Sequence, residues 1–241
     1  MIPLRDDNPT TLIPVLTIGL IVACSLVFLY QATLPPGQDE AFILHYGAVP
    51  SIVVGGAADG VMAMGFPATL TLLTSMFLHG GWMHLIGNML YLWIFGNNIE
   101  DAMGHVRFLV FYLVCGIAAA LSHALTDLQS TIPMVGASGA ISGVLGAYLL
   151  LYPRAQVLVL IPMGLMTRTM QVPAALVLGF WFLLQLLSGG ASLGRGGGGV
   201  AWFAHVGGFL AGMALIGLFK RADIPFLAPA RPAAWSRHSD F

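Results

Sequence analysis

The chain has 241 residues, 58% of them hydrophobic and 8% charged, and its 9 lysines and arginines nearly balance 10 acidic residues. A soluble domain of ordinary composition carries roughly three times that charge fraction, so a water-soluble globule is excluded. The balanced charge offers no basic surface to a nucleic acid, and Cys24 and Cys115 sit inside apolar runs as small hydrophobes, with no Cys/His cluster at zinc spacing and no sign of a cofactor.

A helix that crosses a bilayer needs about 20 mainly apolar residues. Six segments qualify as candidates: Leu12 to Tyr30, Met83 to Ile99, Phe108 to Leu125, Ser138 to Tyr152, Thr169 to Leu187 and Val200 to Phe219. The first is too long, and lacks a small-residue cleavage site, to be a signal peptide. Residues 31–74 form a long connection with several apolar stretches, expected at the membrane interface. The segment 188-SGGASLGRGGGG-199 is a glycine-rich, flexible link. Residues 1–10 and 222–241 read as tails and residues 11–221 as one membrane domain.

Six spans place both termini on one side. That side holds Arg5, Arg107, Arg154, Arg168, Lys220, Arg221, Arg231 and Arg237, and the other holds only Arg195. Positive charge stays inside, so both termini are expected in the cytoplasm.

Polar side chains within spans are costly and mark function by default. The second span opens 79-HGGWMHLIGNMLYLWIFGNNIED-101, where His84 and Asn88 are four apart and share a face. The fourth opens 134-MVGASGAISGVLGAYLLLYP-153 and carries Ser138; the sixth carries His205 near its start. Counting back from the charged ends Arg154, Lys220 and Glu100, all three polar residues lie roughly 22–24 Å deep at about 1.5 Å per residue. They share one level, several ångströms below the outer surface of a core about 30 Å thick.

Gly139, Gly143 and Gly146 form a small-residue stripe on the fourth span. His205, Gly208 and Gly212 share a face of the sixth. Two such stripes allow close backbone approach, which sets His205 against Ser138. An imidazole that takes the hydroxyl proton makes serine a nucleophile, and His84, Asn88 and the Ser138 amide are candidate donors to an oxyanion. No aspartate lies near this level, so the expected unit is a Ser–His dyad. Each residue alone has a plainer reading: Ser138 and Ser142 as packing, Asn88 as helix glue, the glycines as close contacts, and Glu100 and Asp101 as a solvated cap. The combination at one depth favours chemistry.

These motifs resemble the rhomboid intramembrane serine proteases. The family's G-x-S-G stands as Gly136-Ala137-Ser138-Gly139. Its A-H-x-x-G-x-x-x-G stands as Ala204 and His205 through Gly208 to Gly212, and its H-x-x-x-x-H-x-x-x-N as His79, His84 and Asn88. The likeness covers about Leu12 to Arg221. It implies an all-α, six-helix membrane bundle with a short central fourth helix, of the minimal bacterial type, in the inner membrane. It implies Ser138 as nucleophile, His205 as general base and acid, and His84 and Asn88 with the Ser138 amide as oxyanion hole. His79 and Glu100 become structural hydrogen-bonders. Substrates would be single-pass membrane proteins cut at small residues near the outer end of a helix, with no metal or cofactor. Two departures stand out. No arginine occurs between Gln31 and Gly104, where some members carry a Trp-Arg pair. Ser142 occupies the place of a tyrosine that stacks on the catalytic histidine, so His205 needs other neighbours. Trp181 to Leu187, with Gly189 to Gly199, is a candidate gate. The rival readings are a non-enzymatic chaperone or retrotranslocation factor on the same scaffold and a small transporter or channel, though the cytoplasmic half of the fourth span is plain LLLY.

Overall fold

The structure, a computed structural model, describes residues 1–54, 66–163, 166–192 and 200–229. Its elements in chain order are β1 (Ile2–Asp6), α1 (Val15–Thr33), α2 (Gln38–Tyr46), α3 (Pro50–Val53), α4 (Ala68–Thr74), α5 (Trp82–Tyr91), α6 (Asn97–Met103), α7 (His105–Ala124), α8 (Ser138–Leu151), β2 (Gln156–Met163), β3 (Met166–Pro173), α9 (Ala174–Ser192) and α10 (Trp202–Phe219). Four of these helices, α1, α7, α9 and α10, are long and apolar enough on their own to cross a membrane. Helices α5 and α6 are joined by a π-helical turn, Leu92–Gly96, into one helical run from Trp82 to Met103.

Helix boundaries follow local chemistry. Leu34 ends α1 in extended conformation, as a residue before a proline must. Gly104, at φ 81°, separates α6 from α7, and Pro153 lies just past the end of α8. Helix α8 is apolar all round and buried from Gly139 to Tyr148, which places it inside the bundle. Its 14 residues span roughly 21 Å, short of a full crossing by itself.

The all-α expectation is corrected by an antiparallel three-stranded sheet in the order β1-β2-β3. Strand β1 comes from the segment read as a tail and pairs with β2 from Ile2↔Leu160 to Asp6↔Val157. Strand β3 pairs with β2 from Gln156↔Pro173 to Met163↔Met166. The segment 156-QVLVLIPM-163 alternates buried Val157 and Val159 with less buried neighbours, a period of two that averaged hydropathy hides. The fifth span therefore begins at Ala174, not Thr169, because 169–173 belong to β3. It also runs on through Ser192, so 188–192 are helical, while 193–199 of the glycine-rich link lie outside the described residues.

Three carboxylates tie this end together. Glu100, a solvated cap on its plainest sequence reading and a structural hydrogen-bonder by the family resemblance, is fully buried. It accepts the Leu16 and Thr17 amides at 2.9 and 2.8 Å and the Thr17 hydroxyl at 2.7 Å, and it pairs with His105. Pro14 gives α1 no side-chain cap of its own, so Glu100 satisfies those first-turn amides from a neighbouring helix. Asp101 accepts the Thr11 hydroxyl at 2.8 Å and the Leu12 amide at 3.0 Å. Asp6 accepts from the Tyr148 hydroxyl and, at 2.8 Å, from Asn98.

Burial pushes the Asp6 carboxyl from 3.8 up to about 6, against the opposing pull of the Tyr148 hydrogen bond. A carboxyl raised on folding contributes stability that is whole below about 3.8 and is lost as pH rises through about 6. That shift corresponds to about 3 kcal/mol at most. In Asp6→Asn the amide oxygen still accepts from Tyr148, so the variant is expected to gain on wild type in thermal stability between pH 5 and pH 7.5. Parallel melting curves at the two pH values would discount the raised Asp6 value.

Candidate active site

Helices α8 and α10 form the most extensive pairing in the fold, with α7 packed on both. Their closeness is set by glycine. A methyl added at Gly208 would overlap the Gly139 carbonyl oxygen, and one at Gly212 would overlap that of Gly143. At Gly139 it would lie 2.6 Å from the Ala119 methyl of α7. The two stripes meet backbone to backbone, as their spacing suggests.

That contact puts the His205 Nε2 atom 2.8 Å from the Ser138 Oγ. Ser138 is the first residue of α8, held by a tight approach: Gly136 has φ 119°, open to glycine and strained for most others, and its amide donates to the Ser75 carbonyl at 2.8 Å. A side chain at Gly136 would meet the His84 imidazole at 2.7 Å and the Asn88 amide nitrogen at 3.5 Å. So the fold gathers Ser138, His205, His84, Asn88 and Gly136 around one point.

Hydrogen-bond chemistry assigns the His84 ring. The Gly80 amide donates to its Nδ1 at 3.3 Å. A backbone N–H can only donate, so Nδ1 is bare and Nε2 carries the proton on the side facing Gly136. The Asn88 Nδ2 is buried and has no hydrogen-bond acceptor among the described residues. Two donors are thus aimed at the space above Gly136. Ser142 donates to the Ser138 carbonyl at 2.6 Å, a back-bond within the helix.

The remaining expected residues lie further off. His79 is buried; its amide donates to the Gln31 side chain at 3.1 Å, whose amide group donates back to the His79 carbonyl at 3.3 Å. This double bond-pair locks α1 to the entrance of α5, and the His79 ring stands edge-on to His84 at 5.2 Å. Glu100 is at the opposite end of the Trp82–Met103 run, bonded to the first turn of α1 and to His105.

One polar residue escapes the motif reading. The Gln185 Oε1 lies 2.7 Å from the His205 Nδ1, and Gln185 is buried. The available signal is its isolation: it is the sole amide or charged side chain in 174-AALVLGFWFLLQLL-187. His205 also has Trp181 at 5.9 Å, tilted, and Trp202 at 6.3 Å, edge-on. These rings answer the missing tyrosine at Ser142. A cavity beside Ser138 is lined by small groups, among them Ser75, Ala119, Gly136, Ala201 and Ala204.

The sequence profile of the Rhomboid domain matches residues 67–222. RHOMBOID-like protein 5 of Arabidopsis thaliana is 41% identical over 78 residues, which are 32% of this chain and 25% of that protein. Rhomboid protein 1, mitochondrial, of Saccharomyces cerevisiae is 31% identical over 150 residues, 60% of this chain and 40% of that protein. Rhomboid protease GluP of Bacillus subtilis is 45% identical over 78 residues, 32% of this chain and 15% of that protein. The chain thus spans well under two thirds of each of these relatives.

Proposed function

The chain belongs to the rhomboid family, and from that premise we propose that it is an intramembrane serine endopeptidase cutting transmembrane segments near the outer leaflet. It is an integral, multi-pass membrane protein. In the proposed topology α1, the Trp82–Met103 run, α7, α8, α9 and α10 are the six spans, α8 being the short central one. Residues 11–221 form the membrane domain. Both termini face the cytoplasm from the bacterial inner membrane. The observation that carries the activity is the 2.8 Å contact of His205 Nε2 with Ser138 Oγ.

In the proposed reaction the Ser138 oxygen attacks the scissile carbonyl carbon as its proton passes to His205 Nε2. The tetrahedral oxyanion takes hydrogen bonds from His84 Nε2 and Asn88 Nδ2, together with the Ser138 amide. His205 then gives its proton to the leaving amine, and the acyl group on Ser138 is released by water, activated by the same imidazole. The small cavity beside Ser138 suits a small substrate side chain.

The test is labelling of the purified full chain by a fluorophosphonate probe, which reacts with a nucleophilic serine and requires no known substrate. Wild type is expected to label; Ser138→Ala and His205→Ala are not. Equal labelling of all three would sink the reading. Asn88→Ala is expected to slow cleavage roughly 100-fold while leaving the Ser138–His205 contact in place, since one oxyanion donor is lost. Comparison of kcat with KM on a transmembrane reporter checks it, the loss falling on kcat.

A further inference from the structure

We infer that Gln185 is a positioning residue for the proposed dyad, holding His205 in the one tautomer that can take the Ser138 proton. The inference rests on the protease reading of the site and adds to it a third member from a third helix. A carboxamide has a donating and an accepting end, and its orientation is decided by its partners. The Gln185 Nε2 lies 3.3 Å from the Trp181 carbonyl, one turn back on α9. A carbonyl can only accept, so the nitrogen faces Trp181 and the oxygen faces His205. That oxygen, 2.7 Å from Nδ1, can only accept in turn. The proton of neutral His205 is therefore on Nδ1, and the Nε2 lone pair points at the Ser138 hydroxyl, 2.8 Å away.

This is the arrangement in which a carboxylate usually serves in a serine–histidine site. An amide does half of that work. It sets tautomer and ring plane, but it brings no negative charge to steady the imidazolium. That choice fits the place. A buried carboxylate at this depth would need a partner, and the titratable groups that act on His205 from neighbouring helices are two further histidines, His84 on α5 and His123 on α7. The amide also ties the base to α9, the helix whose Trp181 to Leu187 stretch is the candidate gate.

The test is the rate of fluorophosphonate labelling against pH for the full chain in detergent micelles, in wild type, Gln185→Leu, Gln185→Glu and Ser138→Ala. Gln185→Leu keeps the bulk and loses the acceptor; it is expected to label roughly 10- to 100-fold more slowly, with a melting temperature close to wild type. Gln185→Glu restores an acceptor and adds charge. It is expected to recover most of the rate, with the acid limb of the profile displaced to higher pH, because a carboxylate beside the ring stabilises the imidazolium. A residue that merely fills space would move neither the rate in rescue nor the position of that limb. The inference is overturned if Gln185→Leu labels within twofold of wild type, or if Gln185→Glu leaves the acid limb in place. Should Gln185→Leu fail to fold, the Gln185→Glu profile decides alone. Absence of labelling in wild type, or labelling that survives Ser138→Ala, overturns the protease reading itself and this inference with it.

Discussion

In proteoliposomes carrying a single-pass reporter, Ser138→Ala and His205→Ala are each expected to cut cleavage by roughly 1,000-fold or more. A serine hydroxyl is a poor nucleophile until a base takes its proton, and in the proposed mechanism that proton passes across the 2.8 Å pair of His205 Nε2 and Ser138 Oγ. Either half alone is useless, so the double variant is expected to be no slower than the worse single one. The comparison also separates enzyme from scaffold. A chaperone on the same fold keeps its function without the hydroxyl, because Ser138→Ala removes a single oxygen atom and leaves the packing of α8 on α10 in place. A Ser138→Ala chain that retains cleavage within tenfold of wild type would place the chemistry elsewhere.

Gly212→Val is expected to be the most damaging change distant from the chemistry. The glycine sits where α10 crosses α8, and even a methyl there overlaps the Gly143 carbonyl oxygen and lies 2.6 Å from the Gly143 Cα. Backbone cannot rotate out of the way as a side-chain tip can, so the helices must part. Overpacking of this kind costs about 1–3 kcal/mol and often more when backbone has to move. It also carries His205, two turns up the same helix face, away from Ser138. A displacement of about 1 Å is enough for a loss on the order of 100-fold in rate. The expected result is a lower melting temperature together with near-complete loss of fluorophosphonate labelling. Gly19→Ala is the control: a methyl there meets nothing within 4 Å, so stability should hold or rise by up to about 1 kcal/mol. Equal behaviour of the two variants would show that glycine at the crossing is not what holds the site together.

Much of the candidate site is legible in the sequence. Ser138, His84 and His205 could be set at one level because rise per residue is constant and each helix ends at charge. The glycine stripes could be matched because periodicity alone decides which residues share a face. Asn88 followed from its spacing with His84. Gln185 is not legible as a partner of His205, although an amide in an apolar span is itself a signal, because nothing in sequence ties position 185 to position 205. The tautomers of His84 and His205 were equally out of reach, since each depends on what stands opposite the second ring nitrogen: the Gly80 amide in one case and the Gln185 oxygen in the other.

The other end of the molecule is less legible in sequence, for a different reason. Hydropathy summed over a window cannot tell a half-buried strand from the start of a membrane helix, so it assigns 169–173 to the fifth span and 2–6 to a tail, where the structure has strands. Glu100 and Asp101, adjacent carboxylates at a helix end, look solvated until the first turn of α1 is seen to lack a cap of its own.

Composition, the apolar runs and the spacing of polar residues within them were enough to determine a polytopic membrane protein with its polar groups at one depth, because these are local properties of the chain. Which nitrogen of each histidine carries the proton, what holds His205 in place of a stacked tyrosine, and how the N-terminal strand is sewn to the hairpin before α9 were decided only by tertiary structure. The Gln185–His205 and Asp7–Gln156 bonds join residues 20 and 149 positions apart, and a hydrogen bond across that distance exists only once the backbones between have been brought together; the Gly80–His84 bond spans only four positions but depends on the turn of the backbone at Gly81.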